Sequence, residues 1–274
     1  MRVPTRSVLL VSTVFFVGCQ EYGFVEPPDD LQLPPATPPE IILDTGLEDP
    51  PVPVAEEPVY ANTSDTLFTV EPVTGDRTEI AKFRTAGGTV VSQMLDIAID
   101  HEGRVYGGTF DALYRIDPVT AQVEKVCDTD IEFMGMAFTP NGDLLAAGDT
   151  IIKRVDLNTC GSTPVVFNTP YETSGDLVGL PDGFLYWTVW EEDSADGLVR
   201  IDPNTWQITY MGTIPVGRLF GLGYADEQLF GFSSNGQTAA ITPGQSNGGF
   251  VDTLVLHNEP TVSWWGATTN PVAW

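Results

Sequence analysis

The chain has 274 residues, with 12 Lys and Arg against 38 Asp and Glu, a formal net charge of -26 at pH 7. A surface this acidic repels nucleic-acid phosphates and anionic headgroups, which sets nucleic-acid binding aside and suits divalent cations or basic partners better. Solubility alone also accounts for acidity, so charge by itself assigns no ligand.

Arg2 and Arg6 form a short positive start, and Val8 to Val17 is an apolar run broken only by Ser12 and Thr13. That run has the length of a signal core and is too short to cross a bilayer. It ends in Phe16-Val17-Gly18-Cys19, where a small residue precedes cysteine at the expected cut. The segment resembles the lipobox of bacterial lipoproteins, with Phe16 where that family usually has Leu. The resemblance implies that residues 1–18 are a signal peptide and that Cys19 becomes the lipidated first residue. Its acyl chains would anchor the protein at about 0.8 kcal/mol per buried CH₂. Gln20 follows Cys19, which by resemblance to enterobacterial sorting implies the outer membrane. Loss of Arg2 and Arg6 leaves 10 basic against 38 acidic residues, a net of -28.

Residues 19–58 are the expected tether. Positions 20–58 hold ten prolines and ten Asp or Glu, with no Lys or Arg. Pairs such as Pro27-Pro28 and Pro50-Pro51 favour solvated polyproline II backbone, and like charges stretch it. The expectation is a disordered spacer, with Ile41-Ile42-Leu43 as its only apolar cluster.

From residue 59 to residue 274 the chain repeats. Leu113-Tyr114-Arg115-Ile116-Asp117-Pro118-Val119-Thr120 recurs as Leu198-Val199-Arg200-Ile201-Asp202-Pro203-Asn204-Thr205. Weaker copies start at Leu67, Ile152 and Thr238, and the aligned positions 71, 117, 156, 202 and 242 lie 46, 39, 46 and 40 apart. That period is one propeller blade. The repeated Asp reads as a turn former, because its side chain reaches the amides just ahead and Pro presets the next φ. Small-residue strands such as Leu95–Ile99, Met134–Phe138 and Phe220–Tyr224 suit a crowded axis, and three further strands follow each one. Four strands per repeat predict an all-β, five-bladed propeller. The first repeat starts at Val59 without an innermost strand, while the chain ends on Trp264-Trp265-Gly266-Ala267-Thr268. The C-terminal strand is therefore expected to close the first blade and remove the open edge.

Residues 59 to 268 resemble the broad extracellular group of propellers with Leu-Tyr-x-Ile-Asp-Pro-x-Thr-Gly repeats, loosely related to YVTN and quinoprotein-like repeats. That group includes binders, scaffolds and enzymes, so the resemblance speaks to fold and not to activity.

Candidate chemistry is sparse. His101 and His257 have no nucleophile motif beside them, and two scattered His with two scattered Cys lack zinc spacing. Asp96, on an expected inner strand, and Glu132 and Asp176, placed just before later inner strands, are the candidate axial carboxylates of a carbohydrate-active enzyme. Glu192, Ser194 and Asp196, in an acidic insertion, loosely echo a calcium loop, although its twelfth position is Pro203. Trp190 is the candidate exposed aromatic for a sugar or protein partner, while Trp187 and Trp264 read as core. Cys127 and Cys160 suggest a disulfide in an exported domain. A flat strand map sets them on opposite faces, ~17 Å apart along five residues of strand, and leaves the pairing open. The first functional expectation is a tethered, non-catalytic propeller binding protein or glycan; the alternatives are the carboxylate enzyme and a structural envelope component.

Overall fold

The computed structural model describes residues 59–191, 195–244 and 249–268. The expected signal peptide (residues 1–18), Cys19 and the expected 19–58 tether lie outside these residues. The described chain forms five antiparallel blades around an axis.

The first blade holds β1 (Val59–Asn62), β2 (Thr66–Val70) and β3 (Arg77–Lys82), with β21 (Gly266–Thr268) as its innermost strand. Tyr60, Ala61 and Asn62 pair with Thr268, Ala267 and Gly266, so the first and last described strands close the ring as the sequence predicts. A short strand, β4 (Arg84–Thr85), then runs parallel to the outer edge of the second blade. That blade comprises β5 (Asp96–Ile99), β6 (Val105–Gly108), β7 (Ala112–Ile116) and β8 (Gln122–Asp128). The third has β9 (Gly135–Phe138), β10 (Leu144–Gly148), β11 (Ile151–Val155) and β12 (Ser162–Val166). The fourth has β13 (Thr173–Gly179), β14 (Leu185–Trp190), β15 (Asp196–Ile201) and β16 (Ile208–Ile214). The fifth has β17 (Leu219–Ala225), β18 (Gln228–Ser233), β19 (Gln237–Thr242) and β20 (Asp252–Asn258).

The core is a set of wedges between neighbouring blades. Leu67 and Phe83 of the first blade meet Ile97 and Val105 of the second. Leu113 and Phe133 meet Met136 and Leu144 across the next junction. Trp187 fills the wedge between the third and fourth blades, and its indole N–H donates to Thr173 Oγ1 at 3.0 Å. Trp264 packs edge-on against Phe68 and Phe232 where the ring closes. Burial of such side chains contributes roughly 1.5–3 kcal/mol each, so the wedges hold the ring together.

The repeated acids form turns. Asp117, Asp156 and Asp202 each accept the amide of the residue two places on, all at 2.8 Å, and Glu71 accepts that of Val73 at 3.0 Å. These amides hold the three Asp carboxyls below the usual range. Four residues after each acid the chain turns left-handed, at Gly75 (φ 76), Ala121 (φ 54), Cys160 (φ 56) and Trp206 (φ 59). Only the first copy has the glycine that this conformation favours.

Cys127 and Cys160 are joined in a disulfide, with Cα atoms 6.3 Å apart. The flat map that separated them fails because each strand is rotated by about 20–25° from its neighbour, so over three steps an outer strand swings far from the axis direction. The end of β8 thereby reaches the turn of the third blade, where Cys127 and Leu157 pack on one cluster.

Candidate functional site

Two regions combine the residues that chemistry needs: the axis and one rim of loops. At the axis the five innermost strands present one equivalent position each, occupied by Gly266, Asp96, Gly135, Asp176 and Gly221. The glycines let backbones approach: a Cβ on Gly135 would lie 2.7 Å from Gly175 O. The two Asp side chains enter the space that the glycines leave. Both are fully buried. Asp96 accepts the amides of Ile97 at 2.8 Å and Met136 at 2.5 Å. Asp176 accepts those of Leu177 and Leu222, both at 2.5 Å. Each acid thus ties its own inner strand to that of the next blade, and the two carboxyls sit near enough for Asp176 to act on Asp96.

Burial pushes Asp96 well above the usual carboxylate range, and the facing Asp176 adds to it. Burial also raises Asp176, to about 7, although the nearby Asp96 and the backbone amides that it accepts oppose the rise. Asp176 lies within β13, not before it as expected from sequence. Glu132 does not join the pair: it is exposed and covers Gly148, whose added Cβ would lie 2.6 Å from Glu132 Cβ. Asn62 is a member of this centre that sequence reasoning missed. Its only signal was its place on β1, opposite Gly266.

Asp196 points into the core and not to a surface loop. It accepts Ser174 Oγ–H at 2.5 Å and the Leu219 amide at 2.7 Å, and burial raises its pKa. Of the three candidate calcium residues, Asp196 is thus a buried member of β15, and Glu192 and Ser194 lie outside the described residues. His101 donates to Thr139 O at 3.0 Å and His257 to Val73 O at 2.8 Å, each linking neighbouring blades.

The rim follows from strand direction. In an antiparallel blade, the loops from second to third strand and from fourth strand to the next blade open on the same face. Trp190 ends β14 on that face and is 47% exposed. Phe110 (54%) and Phe167 (60%), missed in the sequence, stand on loops of the same face. The loops touch in sequence: the Thr129 amide donates to Asp111 O, that of Thr173 to Asp149 O, and that of Trp190 to Glu172 O. Glu191 is held by Tyr210 Oη–H and by Thr213 Oγ1–H, and Tyr210 stacks on Tyr171 with ring centroids 6.1 Å apart. The result is a run of touching loops over the second to fourth blades that carries three exposed aromatics and the exposed acids Asp111, Asp130, Glu132, Asp149 and Glu172.

No protein-family model and no curated protein matches the chain. Among solved structures it is similar to a gluconolactonase from Xanthomonas campestris, at 14% identity and TM-score 0.51, over 80% of this chain and 79% of that one. It is also similar to a chain of a nidogen/laminin complex, at 13% identity and TM-score 0.48, over 78% and 84%. A third is TolB from Acinetobacter baumannii, at 17% identity and TM-score 0.45, over 75% and 53%. The first likeness supports the propeller fold and carries no activity across.

Proposed function

We propose that the protein is an exported, lipid-anchored binding module whose acidic-aromatic rim receives a protein partner with a basic surface. The observation that carries this reading is that Phe110, Phe167 and Trp190 stand exposed on one face together with exposed carboxylates. Exposed aromatics in a charged frame are the usual anchors of an interface, and acidic surroundings attract and orient a basic partner. Export is supported by the signal-like first 18 residues and by the Cys127–Cys160 disulfide, which persists in oxidising compartments. Anchoring rests on the lipobox-like Phe16-Val17-Gly18-Cys19. The carboxylate-enzyme reading has less support, because Asp96 and Asp176 are both fully buried, whereas glycoside cleavage needs two carboxyls about 5–9.5 Å apart that flank a bound sugar.

Two experiments test the proposal in a bacterial host. Metabolic labelling with a clickable palmitate analogue should mark the full chain and be lost in Cys19→Ala; labelling that survives refutes the anchor. A photo-crosslinking residue at Phe110, Phe167 or Trp190 should trap one discrete partner, and the same residue at Asn204, on the opposite face, should not. Equal trapping at Asn204, or none at the rim, refutes the binding face.

A further inference from the structure

We propose that the buried centre of the propeller binds one hard cation of the calcium class, held by Asp96, Asp176 and Asn62. The argument is a surplus of acceptors. Asn62 Nδ2 donates to Met94 O at 2.9 Å and to Thr63 O at 3.0 Å, which fixes the amide and turns Oδ1 away. That Oδ1 is buried without a hydrogen-bond partner. It faces Asp96: a Cβ on Gly266 would lie 2.7 Å from Asn62 Oδ1 and also against Asp96 Oδ1. The two oxygens are therefore within about 5 Å, a span that one Ca²⁺ bridges at roughly 2.3–2.6 Å to each ligand. Asp96 accepts the Met136 amide, and a Cβ on the preceding Gly135 would lie 3.1 Å from the Asp176 backbone carbon, which brings Asp176 in beside Asp96.

Asn62 Oδ1 of the first blade thus faces Asp96 of the second, with Asp176 of the fourth beyond it, and the donors that reach the two carboxyls are backbone amides. Among the described residues, no Lys or Arg forms an ion pair with either carboxyl. Each ionised carboxylate offers about four lone-pair positions and here gives two to backbone amides, which leaves capacity for a metal. A single proton shared by the two acids would join them and still leave Asn62 Oδ1 alone, whereas a cation engages all three. An all-oxygen set selects calcium or magnesium over zinc or copper. Because strands cover the site, the ion would enter as the ring closes, so binding is coupled to folding.

The test uses the full mature chain, unfolded in chelator and refolded with calcium, with magnesium or with chelator retained. Calcium-refolded protein should carry one calcium per chain by elemental analysis after desalting. At 100 times the dissociation constant its unfolding midpoint should lie roughly 5–11 °C above that of the chelated protein. Asn62→Leu and Asp176→Asn should abolish that rise. Should these variants not fold, terbium added during refolding of the wild type keeps the proposal testable. Its emission, sensitised by the neighbouring Trp265, should saturate at one equivalent and be quenched by calcium. Absence of bound metal and of terbium emission overturns the proposal, as does a calcium shift that survives both substitutions. It is overturned equally if calcium is without effect and the chelated protein loses stability as pH rises through neutral. That pattern identifies a shared proton instead, since raised carboxyl pKa values favour the folded state only below them.

Discussion

Replacing Cys127 and Cys160 by serine together should lower stability by about 4 kcal/mol. The bond closes a loop of 33 residues between the second and third blades. Loop closure of that length removes ~12–13 cal/mol/K from the unfolded ensemble, which is about 4 kcal/mol at 25 °C. For a domain of this size each kcal/mol moves the midpoint by roughly 2–4 °C, so the double variant should melt ~8–16 °C lower. The two cysteines sit on a wedge that is otherwise well packed, with Leu113, Phe133 and Leu157 nearby, so the native fold should survive the change. Urea unfolding of the oxidised protein, the reduced protein and the double variant measures the effect, with reduced and substituted forms expected to agree. A loss below ~1 kcal/mol would refute the entropic reasoning and assign the junction's stability to side-chain packing alone.

Three further outcomes follow from named contacts. Gln93→Gly should stabilise by up to ~1 kcal/mol, because the exposed Gln93 holds φ 61 in the left-handed region where glycine carries no Cβ penalty; urea unfolding that shows a loss contradicts this. Gly135→Ala should cost ~1–3 kcal/mol or more, since the new methyl would meet backbone at Gly175 O and Leu177 N, which cannot swing aside; an unchanged midpoint would mean that the inner strands are loosely packed. Burial raises the Asp196 pKa, so the folded chain holds that proton over a pH range where the unfolded chain has released it. Its contribution therefore fades as pH rises from about 4 through the folded pKa. Asp196→Asn, neutral throughout, should gain relative to wild type between pH 4 and pH 8 in urea unfolding, and a relative loss would invert the assignment.

Much of the architecture was legible because its causes are local. The Asp-Pro turns, the alternation of each strand and the blade period all act over a few residues, and the missing inner strand at Val59 matched the spare strand at Gly266. The axial pair was half legible. Asp96 stood out on a strand of small residues, yet Asp176 was placed one step early because the β-bulge in β13 hides its register.

What sequence alone determined is the five-bladed ring and its closure, since turn chemistry and period leave few other ways to bury these strands. Only the tertiary structure decided who meets whom across blades. Asp96 faces Asp176 from two blades away, Asn62 is left without a donor, and Cys127 reaches Cys160. Likewise Phe110 and Phe167 join Trp190 on one rim. Each of these depends on accumulated strand twist and on closing the circle, which are properties of the whole ring and leave no mark at any one position of the chain.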